Sequence, residues 1–394
     1  MFKSFYSKVV KEDVVVIDHQ FPQKSPFAFK NAEINEYFKR IPEFKSYTMF
    51  PMQPDADAWF SHGYGISYED FLENKKGYLE HYSQDPERIR YLFPEKKYNF
   101  RLAYSYFLAE TYVLLPFLNN NKIPFVFVLY PGGGFGLNNK KSDLMLKKIF
   151  KSKYFKGVIT TQPITNDYLE KNKLCPKDKI HYIYGGFVQF KKDDIKPKQI
   201  YKKNKTTFDV CFVAAKYSDK GVDKGYDLFI ETAKQICKIT NDVMFHVVGG
   251  FTSADIDVRD IKDRIKFYGY KKPDFLIDFY SKMDIFLGPG RPFKLFEGNF
   301  DGFPLGGDAG YCGTAIFVSD ELEMNRYYKD GSDIVIVPLD SKEISAKIMN
   351  YYRNPASLYK LSKLCQNKTQ ELLSTDFQID ERLKVFNSIL EGEK

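Results

Sequence analysis

The sequence predicts an α/β protein made of two doubly wound domains, each built around a parallel sheet. Short apolar runs bounded by turn residues recur along the 394-residue chain, and segments with helical periodicity separate them. Strands that are apolar on both faces are typical of parallel sheets covered by helices. A strongly polar stretch, residues 189–207, interrupts the series. Because such a stretch has little to bury, we expect it to separate two domains that face each other across a cleft.

In the first half of the chain, the predicted strands are short and almost wholly apolar. We expect strands at 14–17, 47–50, 124–130, 157–160 and 180–184, and helices at 26–41 and 108–118. Residues 52–97 fit this alternation poorly and are predicted to form a helical, aromatic insertion. The first domain is therefore expected to span residues 1–190.

The second half repeats the alternation. We expect strands at 210–214, 244–248, 265–268, 285–287, 315–318 and 334–337, and helices at 226–239, 274–283 and 342–352. The predicted boundaries are a linker over 191–207, a second domain over 208–375 and a C-terminal helix over 376–394.

Composition and charge restrict the partners that we expect. The net charge of +8 comes from scattered Lys and Arg, which suits anions such as nucleotide diphosphates or lipid headgroups. No motif that reads RNA or DNA occurs, so nucleic acid is not an expected partner. The five cysteines contain no C-x-x-C pair, so neither a metal centre nor a disulfide framework is indicated.

The distribution of apolar residues predicts a cytoplasmic protein. The longest apolar runs are far shorter than the roughly 20 residues that cross a bilayer. Lysines interrupt the N-terminal segment, which therefore lacks the apolar core of a signal peptide.

The most informative motif covers residues 297–320, where an acidic, glycine-rich loop precedes D-A-G-Y-C-G and an apolar strand. A helix that begins near Pro304 would direct free backbone N–H groups at the loop, which favours a bound diphosphate. Asp308, in the first turns of that helix, could accept hydrogen bonds from ribose hydroxyls. The pattern predicts a nucleotide-sugar site.

This motif resembles the segment E-G-F-P…E-A-x-x-C-G-x-P-V-V-x-x-D of retaining glycosyltransferases with the GT-B fold, of the "glycosyl transferases group 1" type. Further segments resemble those of the family in the same order: Phe212–Lys216, Lys224–Ile230, Val247–Gly250, Ile265–Gly269 and Tyr280–Leu287. The resemblance implies the GT-B fold, in which two Rossmann-like domains face each other across a cleft. It also implies transfer of a sugar, with retention of configuration, from a nucleotide diphosphate to a glycan or lipid-linked acceptor, in surface polysaccharide or glycoconjugate synthesis.

For catalysis, the resemblance implies that Lys216 and Lys224 stabilise the departing diphosphate, whose charge grows as the glycosidic bond breaks. Lys216 stands where the family more often has Arg, and Lys220 competes with Lys224 for its role. Asp301 takes the position of the family's first acid, but it lies seven residues before Asp308, one fewer than the family's spacing.

The resemblance also implies which residues bind the donor. Asp308 binds the ribose, and Gly269 and Tyr270 lie beside the base. The short spacing before Asp308 leaves two alternatives, a loop that closes more tightly or a first acid assisted by Glu297 from farther back. Further candidates are Gly302, Phe303, Pro304 and Leu305 along the diphosphate and sugar, and the basic residue Arg291. The expected co-substrate is a UDP-sugar, with no cofactor and no metal; the triplets Asp55–Asp57 and Asp255–Asp257 do not stand at strand ends as metal-binding triplets do.

On the acceptor side, His19, His62 and Gly133 are the candidates, and a lipid-linked acceptor would bring the protein to the inner face of the membrane as a peripheral protein. Two alternatives remain open. One is an inverting GT-B transferase with Asp18, His19 or His62 as its base. The other is a non-catalytic GT-B scaffold subunit, which the shortened spacing between Asp301 and Asp308 favours.

Overall fold

The structure, a computed structural model, describes residues 10–25, 28–58, 60–186, 188–292 and 306–392. The chain divides into two compact units, one of Met1–Tyr184 with Ile379–Lys394 and the other of Gly185–Gln378. Each unit holds one parallel sheet with helices between its strands, so the predicted α/β fold with two parallel sheets is confirmed. Residues 191–207, predicted as a linker, lie in the second unit.

The first unit is built on a seven-stranded sheet. Its strands are β1 (Val10–Asp18), β2 (Lys45–Thr48), β3 (Ile89–Tyr91), β4 (Tyr98–Tyr106), β5 (Phe125–Leu129), β6 (Phe155–Thr160) and β7 (Ile180–Tyr182). They lie in the order β3-β2-β1-β4-β5-β6-β7, and neighbouring strands pair in parallel. The order reverses between β1 and β4, and ligands of open α/β sheets bind at such a reversal, beyond the carboxyl ends of the strands.

The helices of this unit are α1 (Phe29–Arg40), α2 (Tyr68–His81), α3 (Leu108–Asn120), α4 (Lys140–Phe150) and α5 (Pro163–Lys171). Residues 52–97, predicted as an insertion, supply α2 and β3, so part of this segment extends the sheet. The central strand β4 was not predicted. Its first residues alternate between buried and exposed, with Asn99 and Arg101 exposed, which obscures the apolar run that marks the other strands.

The second unit is built on a six-stranded sheet. Its strands are β8 (Phe208–Val213), β9 (Val243–Val248), β10 (Ile265–Phe267), β11 (Ile285–Gly288), β12 (Ala315–Val318) and β13 (Val335–Ile336). They lie in the order β10-β9-β8-β11-β12-β13, again with parallel neighbours. The order reverses between β8 and β11. The remaining helices are α6 (Tyr226–Cys237), α7 (Pro273–Lys282), α8 (Gly307–Tyr311), α9 (Ser341–Arg353), α10 (Pro355–Leu373) and α11 (Thr375–Glu391).

The C-terminal helix α11 brings a buried charge into the core of the first unit. Arg382 is fully buried, donates from Nη2 to the hydroxyl of Tyr130 over 3.1 Å, and has its Nε 3.6 Å from Glu33 Oε1. The hydroxyls of Tyr104 and Tyr130 both donate to Glu33. A buried guanidinium requires such partners, because an unpaired buried charge is strongly unfavourable. The network therefore fixes α11 to this unit.

Much of the aromatic content of the chain fills the two cores. Fully buried rings in the first unit include those of Tyr37, Tyr47, Tyr104 and Phe125. In the described part of the chain, no helix combines the length and the apolar character needed to cross a bilayer.

Candidate active site

The loops that follow β8 and β11 meet where the strand order of the second unit reverses. The segment after β8 contains Lys216 and then a short 3-10 helix, Asp219–Lys224, that leads into α6. The segment after β11 begins at Pro289 and includes Arg291. Gly225 has a φ of 76°, and a Cβ there would come within 1.9 Å of the carbonyl oxygen of Pro289. The close approach of the two loops therefore requires glycine at this position.

Lys216 lies in an ion pair within the second unit. Its ammonium donates to Asp255 Oδ1 over 2.5 Å, and both side chains are largely buried. Asp255 Oδ2 accepts from the backbone N–H of Thr252 over 2.8 Å, so the carboxylate is fixed by its own loop. The triplet Asp255–Asp257 thus contributes a partner for a lysine implicated in diphosphate binding.

Lys224 ends the 3-10 helix, and its ammonium lies 5.3 Å from the ring centroid of Tyr217, which is 67% exposed. Lys220, the competing candidate, is exposed and has a φ of 55° within the same helix. Lys224 is partly buried, so its charge is less screened by water than that of Lys220. The difference favours Lys224 for an electrostatic role.

Arg291 is bound within the second unit by a carboxylate. Its guanidinium donates to both oxygens of Asp227, over 2.6 and 2.9 Å, and to the carbonyl of Val222 over 3.0 Å. The backbone N–H of Arg291 also donates to the carbonyl of Asp223 over 2.8 Å. These contacts fasten the loop after β11 to the segment that carries Lys224.

Tyr270 presents an exposed ring beside Lys216. The ring is 68% exposed, while the hydroxyl lies 3.4 Å from the backbone nitrogen of Lys216. The hydroxyl also lies over Gly250, where a Cβ would come within 2.9 Å of it. Gly269, which precedes the ring, has a φ of 67° and accepts from the backbone N–H of Gly249 over 3.0 Å. A ring held at one end and exposed on its face can stack on a planar group.

Asp308 lies in the first turn of α8, which begins three residues after the predicted start near Pro304. Burial raises the pKa of its carboxyl to about 6. The carboxyl of Asp308 is therefore a partly buried hydrogen-bond acceptor in the first turn of α8. Six predicted site residues lie outside the described residues: Glu297, Asp301, Gly302, Phe303, Pro304 and Leu305.

A buried charge cluster marks the reversal in the first unit. His19 follows β1, and its Nδ1 lies 2.6 Å from Oε2 of Glu110, in the first turn of α3. Lys30 donates to the same carboxylate over 2.9 Å and also bonds Asp18. Burial alone would raise the pKa of Asp18, but the ammonium of Lys30 outweighs it and the pKa is lowered. The cluster holds the imidazole of His19 in a fixed orientation.

Carboxylate and imidazole atoms of Asp18, His19 and Glu110 lie within 4.8 Å of one another, as metal ligands do. The ammonium of Lys30 already bonds both carboxylates. Its positive charge offsets part of the negative charge of the two carboxylates. The three groups therefore suit an ion pair with Lys30 better than a divalent metal ion.

The other acceptor-side candidates lie near this cluster. Gly133 accepts from the backbone N–H of Ala109, which precedes Glu110, and a Cβ on Gly133 would collide with the ring of Phe107. His62 is exposed, and its Nε2 lies 3.2 Å from the hydroxyl of Tyr64. The ring of Tyr64 in turn packs edge-on against His19 at 5.1 Å. The structure thus connects His19, His62 and Gly133 through neighbouring residues.

Sequence reasoning missed the partners of the predicted residues. Glu110 and Lys30 were not singled out, since they lie far along the chain from His19 or within a helix of mixed composition. A signal was available for Glu110, an acid within the otherwise apolar stretch Leu108–Leu118. The triplet that contains Asp255 does not stand at a strand end, so the sequence predicts no role for this residue.

Comparison with protein families gives a match in the second unit. Residues 193–371 match the family model described as Glycosyl transferases group 1. The match supports the resemblance to this glycosyltransferase family that the motifs carry. A comparison with curated protein sequences found no match.

Solved structures of glycosyltransferases share the fold over nearly the whole chain. A sucrose-phosphate synthase from Thermosynechococcus elongatus is 14% identical with a TM-score of 0.64, covering 97% of this chain and 100% of its own. Anabaena HepE in complex with UDP is 13% identical with a TM-score of 0.66, covering 96% and 100%. A glycosyltransferase from Rickettsia africae is 12% identical with a TM-score of 0.64, covering 96% and 99%. At these identities the likeness shows the fold, the two-domain α/β GT-B fold.

Proposed function

We propose that this protein is a glycosyltransferase that moves a sugar from a nucleotide diphosphate to a glycan or lipid-linked acceptor, with retention of configuration. The observation that carries the proposal is the group formed by Lys216, Lys224 and the exposed ring of Tyr270. It lies beyond the carboxyl ends of β8 and its neighbours, in the unit that matches the glycosyltransferase family. This end of an open α/β sheet is where ligands bind.

Each member of the group matches one part of a nucleotide sugar. Two ammonium groups suit a diphosphate, whose negative charge increases as the bond to the sugar breaks. Fixed cations stabilise that charge more in the transition state than in the ground state, and therefore accelerate the reaction. The exposed face of Tyr270 suits a base, and the carboxyl of Asp308 suits ribose hydroxyls.

For the donor, we propose a UDP-sugar that reacts without a cofactor or a metal. Anabaena HepE, which shares the fold, has been solved with UDP, with UDP and glucose, and with UDP-glucose. The two lysines supply the positive charge that a metal would otherwise bring to the diphosphate. The proposed setting is surface polysaccharide or glycoconjugate synthesis by a cytoplasmic protein that contacts the inner face of the membrane.

The test is release of nucleoside diphosphate from a panel of nucleotide sugars, with and without EDTA, in the presence of glycan and lipid-linked acceptors. We expect release from one donor, at a rate that EDTA does not change. Release that stops with EDTA would contradict the metal-independent mechanism, and no release from any donor would favour the non-catalytic scaffold.

An inverting transferase is the second candidate, and one observation favours it. The imidazole of His19 is held through Nδ1 by the Glu110 carboxylate at 2.6 Å, which leaves Nε2 to take a proton from an acceptor hydroxyl. A retaining reaction needs no such base on the protein. The anomeric configuration of the product, measured by NMR against that of the donor, separates the two: retention supports the main proposal and inversion supports His19 as a base.

A further inference from the structure

The ion pair between Lys216 and Asp255 should affect how tightly a nucleotide is bound. This inference rests on the proposed function. An ammonium that binds a diphosphate is already paired with a carboxylate in the structure, at 2.5 Å. The side chains are 24% and 13% exposed, so water screens this interaction only in part. Among the described residues, Asp255 is the carboxylate that contacts this ammonium.

Asp255 is held as a carboxylate by its own loop and by Lys216. Burial alone would raise the pKa of its carboxyl, but the hydrogen bonds from Lys216 and from the backbone of Thr252 outweigh burial, and the pKa is lowered. The bond from the Thr252 N–H, at 2.8 Å, does not depend on Lys216. A diphosphate that binds Lys216 must therefore share the ammonium with a fixed negative charge.

We propose that Asp255 is a counter-ion that competes with the nucleoside diphosphate for Lys216, and that it thereby weakens retention of the nucleotide after sugar transfer. Two effects act in the same direction. The diphosphate must compete with an existing bond to the ammonium, and its own charge is repelled by the carboxylate. Both effects oppose the bound nucleotide, so Asp255 favours its release.

The chain offers a matched control two residues away. Asp257 belongs to the same loop, has the same charge, and pairs with Arg259 rather than with a lysine of the site. Its ion pair is well exposed, since Arg259 is 90% and Asp257 53% exposed. Asp257→Asn changes the net charge of the protein by the same amount as Asp255→Asn. It should leave nucleotide affinity nearly unchanged.

The test is calorimetric titration of the full-length protein with UDP, GDP and ADP, for the wild type, Asp255→Asn and Asp257→Asn. Asparagine preserves the size of the side chain and an oxygen that can accept from Thr252. For the nucleotide that the wild type binds, we expect Asp255→Asn to bind about fivefold more tightly and to release it more slowly, as for loss of one partly exposed ion pair. If Asp255 only stabilised its own loop, Asp255→Asn would bind the nucleotide more weakly, because the loop would lose its order.

The same titration in a Lys216→Ala background shows whether the effect passes through Lys216. There, Asp255→Asn should tighten binding by less than about twofold, since the competition for the ammonium is absent and only the repulsion between the carboxylate and the diphosphate remains. Equal tightening in both backgrounds, or unchanged or weaker binding by Asp255→Asn alone, would overturn the inference and leave the proposed function intact. Failure of the wild type to bind any of the three nucleotides would overturn both.

Discussion

Arg291 and Asp227 form a two-point ion pair that joins the loop after β11 to the first turn of α6. The two hydrogen bonds measure 2.6 and 2.9 Å, and a third bond reaches the carbonyl of Val222. Arg291 follows a predicted strand and is a basic candidate for donor binding. Its guanidinium has partners within the protein, and we expect it to position the segment that carries Lys224.

Removal of this pair should therefore affect stability. Arg291→Ala is expected to lower the free energy of unfolding by about 1–3 kcal/mol, because the partly buried Asp227 loses its partner. Urea denaturation measures the change. Arg259→Ala, which breaks the well-exposed pair with Asp257, is the control and should cost less than about 0.5 kcal/mol. Weaker UDP binding by Arg291→Ala at unchanged stability would instead assign Arg291 to the donor.

We expect the ring of Tyr270 to contact the base of a bound UDP and not its diphosphate. Tyr270→Ala is expected to weaken UDP binding about tenfold, because stacking on an aromatic ring contributes about 1–3 kcal/mol per base. Tyr270→Phe keeps the ring and should bind normally. Titration with inorganic pyrophosphate, which has no base, is the control. If Tyr270→Ala weakens pyrophosphate and UDP equally, the ring does not contact the base.

Asp308 should show opposite effects on stability and on donor binding. Burial raises the pKa of its carboxyl to about 6 from the ordinary 3.8, so the charged form is disfavoured in the folded protein. Below pH 3.8 the carboxyl is protonated in both the folded and the unfolded protein, and its charge costs the folded state nothing. The stability that the protonated form contributes is lost as the pH rises through the folded-state pKa of about 6. Asp308→Asn is therefore expected to raise the free energy of unfolding by about 1–3 kcal/mol near pH 7.5, and hardly at all near pH 3.5.

The same variant should bind UDP about tenfold more weakly near pH 7.5, since a charged acceptor for the ribose hydroxyls is lost. Denaturant titrations at several pH values and calorimetry with UDP measure the two effects. A variant that is less stable and binds UDP normally would show that Asp308 is a structural residue.

His19 distinguishes the retaining mechanism from the inverting one through its effect on turnover. Under the main proposal, His19→Gln should reduce turnover by less than about tenfold, whereas loss of a general base costs about 10²- to 10⁴-fold. His62→Gln, which removes the other candidate imidazole, exposed and bonded to Tyr64, is the comparison variant. A large loss confined to His19→Gln, together with an inverted product, would support the second candidate.

The sequence predicted the alternation of strands and helices in the second unit closely, because nearly every strand there is a short apolar run. Strand β12 lies at Ala315–Val318 as predicted, and α6 begins at Tyr226 as predicted. The central strand β4 could not be recognised, since exposed residues alternate with buried ones in its first half. The apolar pattern of a sequence predicts which side chains of a strand are buried. It does not predict the position of the strand in the sheet.

The order of the motifs predicts the two lysines of the candidate site, and it does not predict their partners. The order of the motifs along the chain identified Lys216 and Lys224. The partner Asp255 is remote in sequence and lies close to Lys216 only because β8 and β9 are neighbours in the sheet. The contact of His19 with Glu110 likewise requires β1 and β4 to be adjacent. Contacts between residues that are distant along the chain depend on the order of the strands in the sheet. The pattern of a single sequence does not predict that order.

The most direct test of the nucleotide-sugar site is calorimetric titration of UDP into the wild type, Lys224→Ala and Lys220→Ala. The two lysines belong to the same 3-10 helix and carry the same charge, but Lys224 is partly buried and Lys220 is exposed. We expect one UDP site in the wild type, affinity lowered by about a hundredfold in Lys224→Ala, and near-normal affinity in Lys220→Ala, with folding intact in all three. Equal affinity in all three proteins, or no binding by the wild type, would contradict the account.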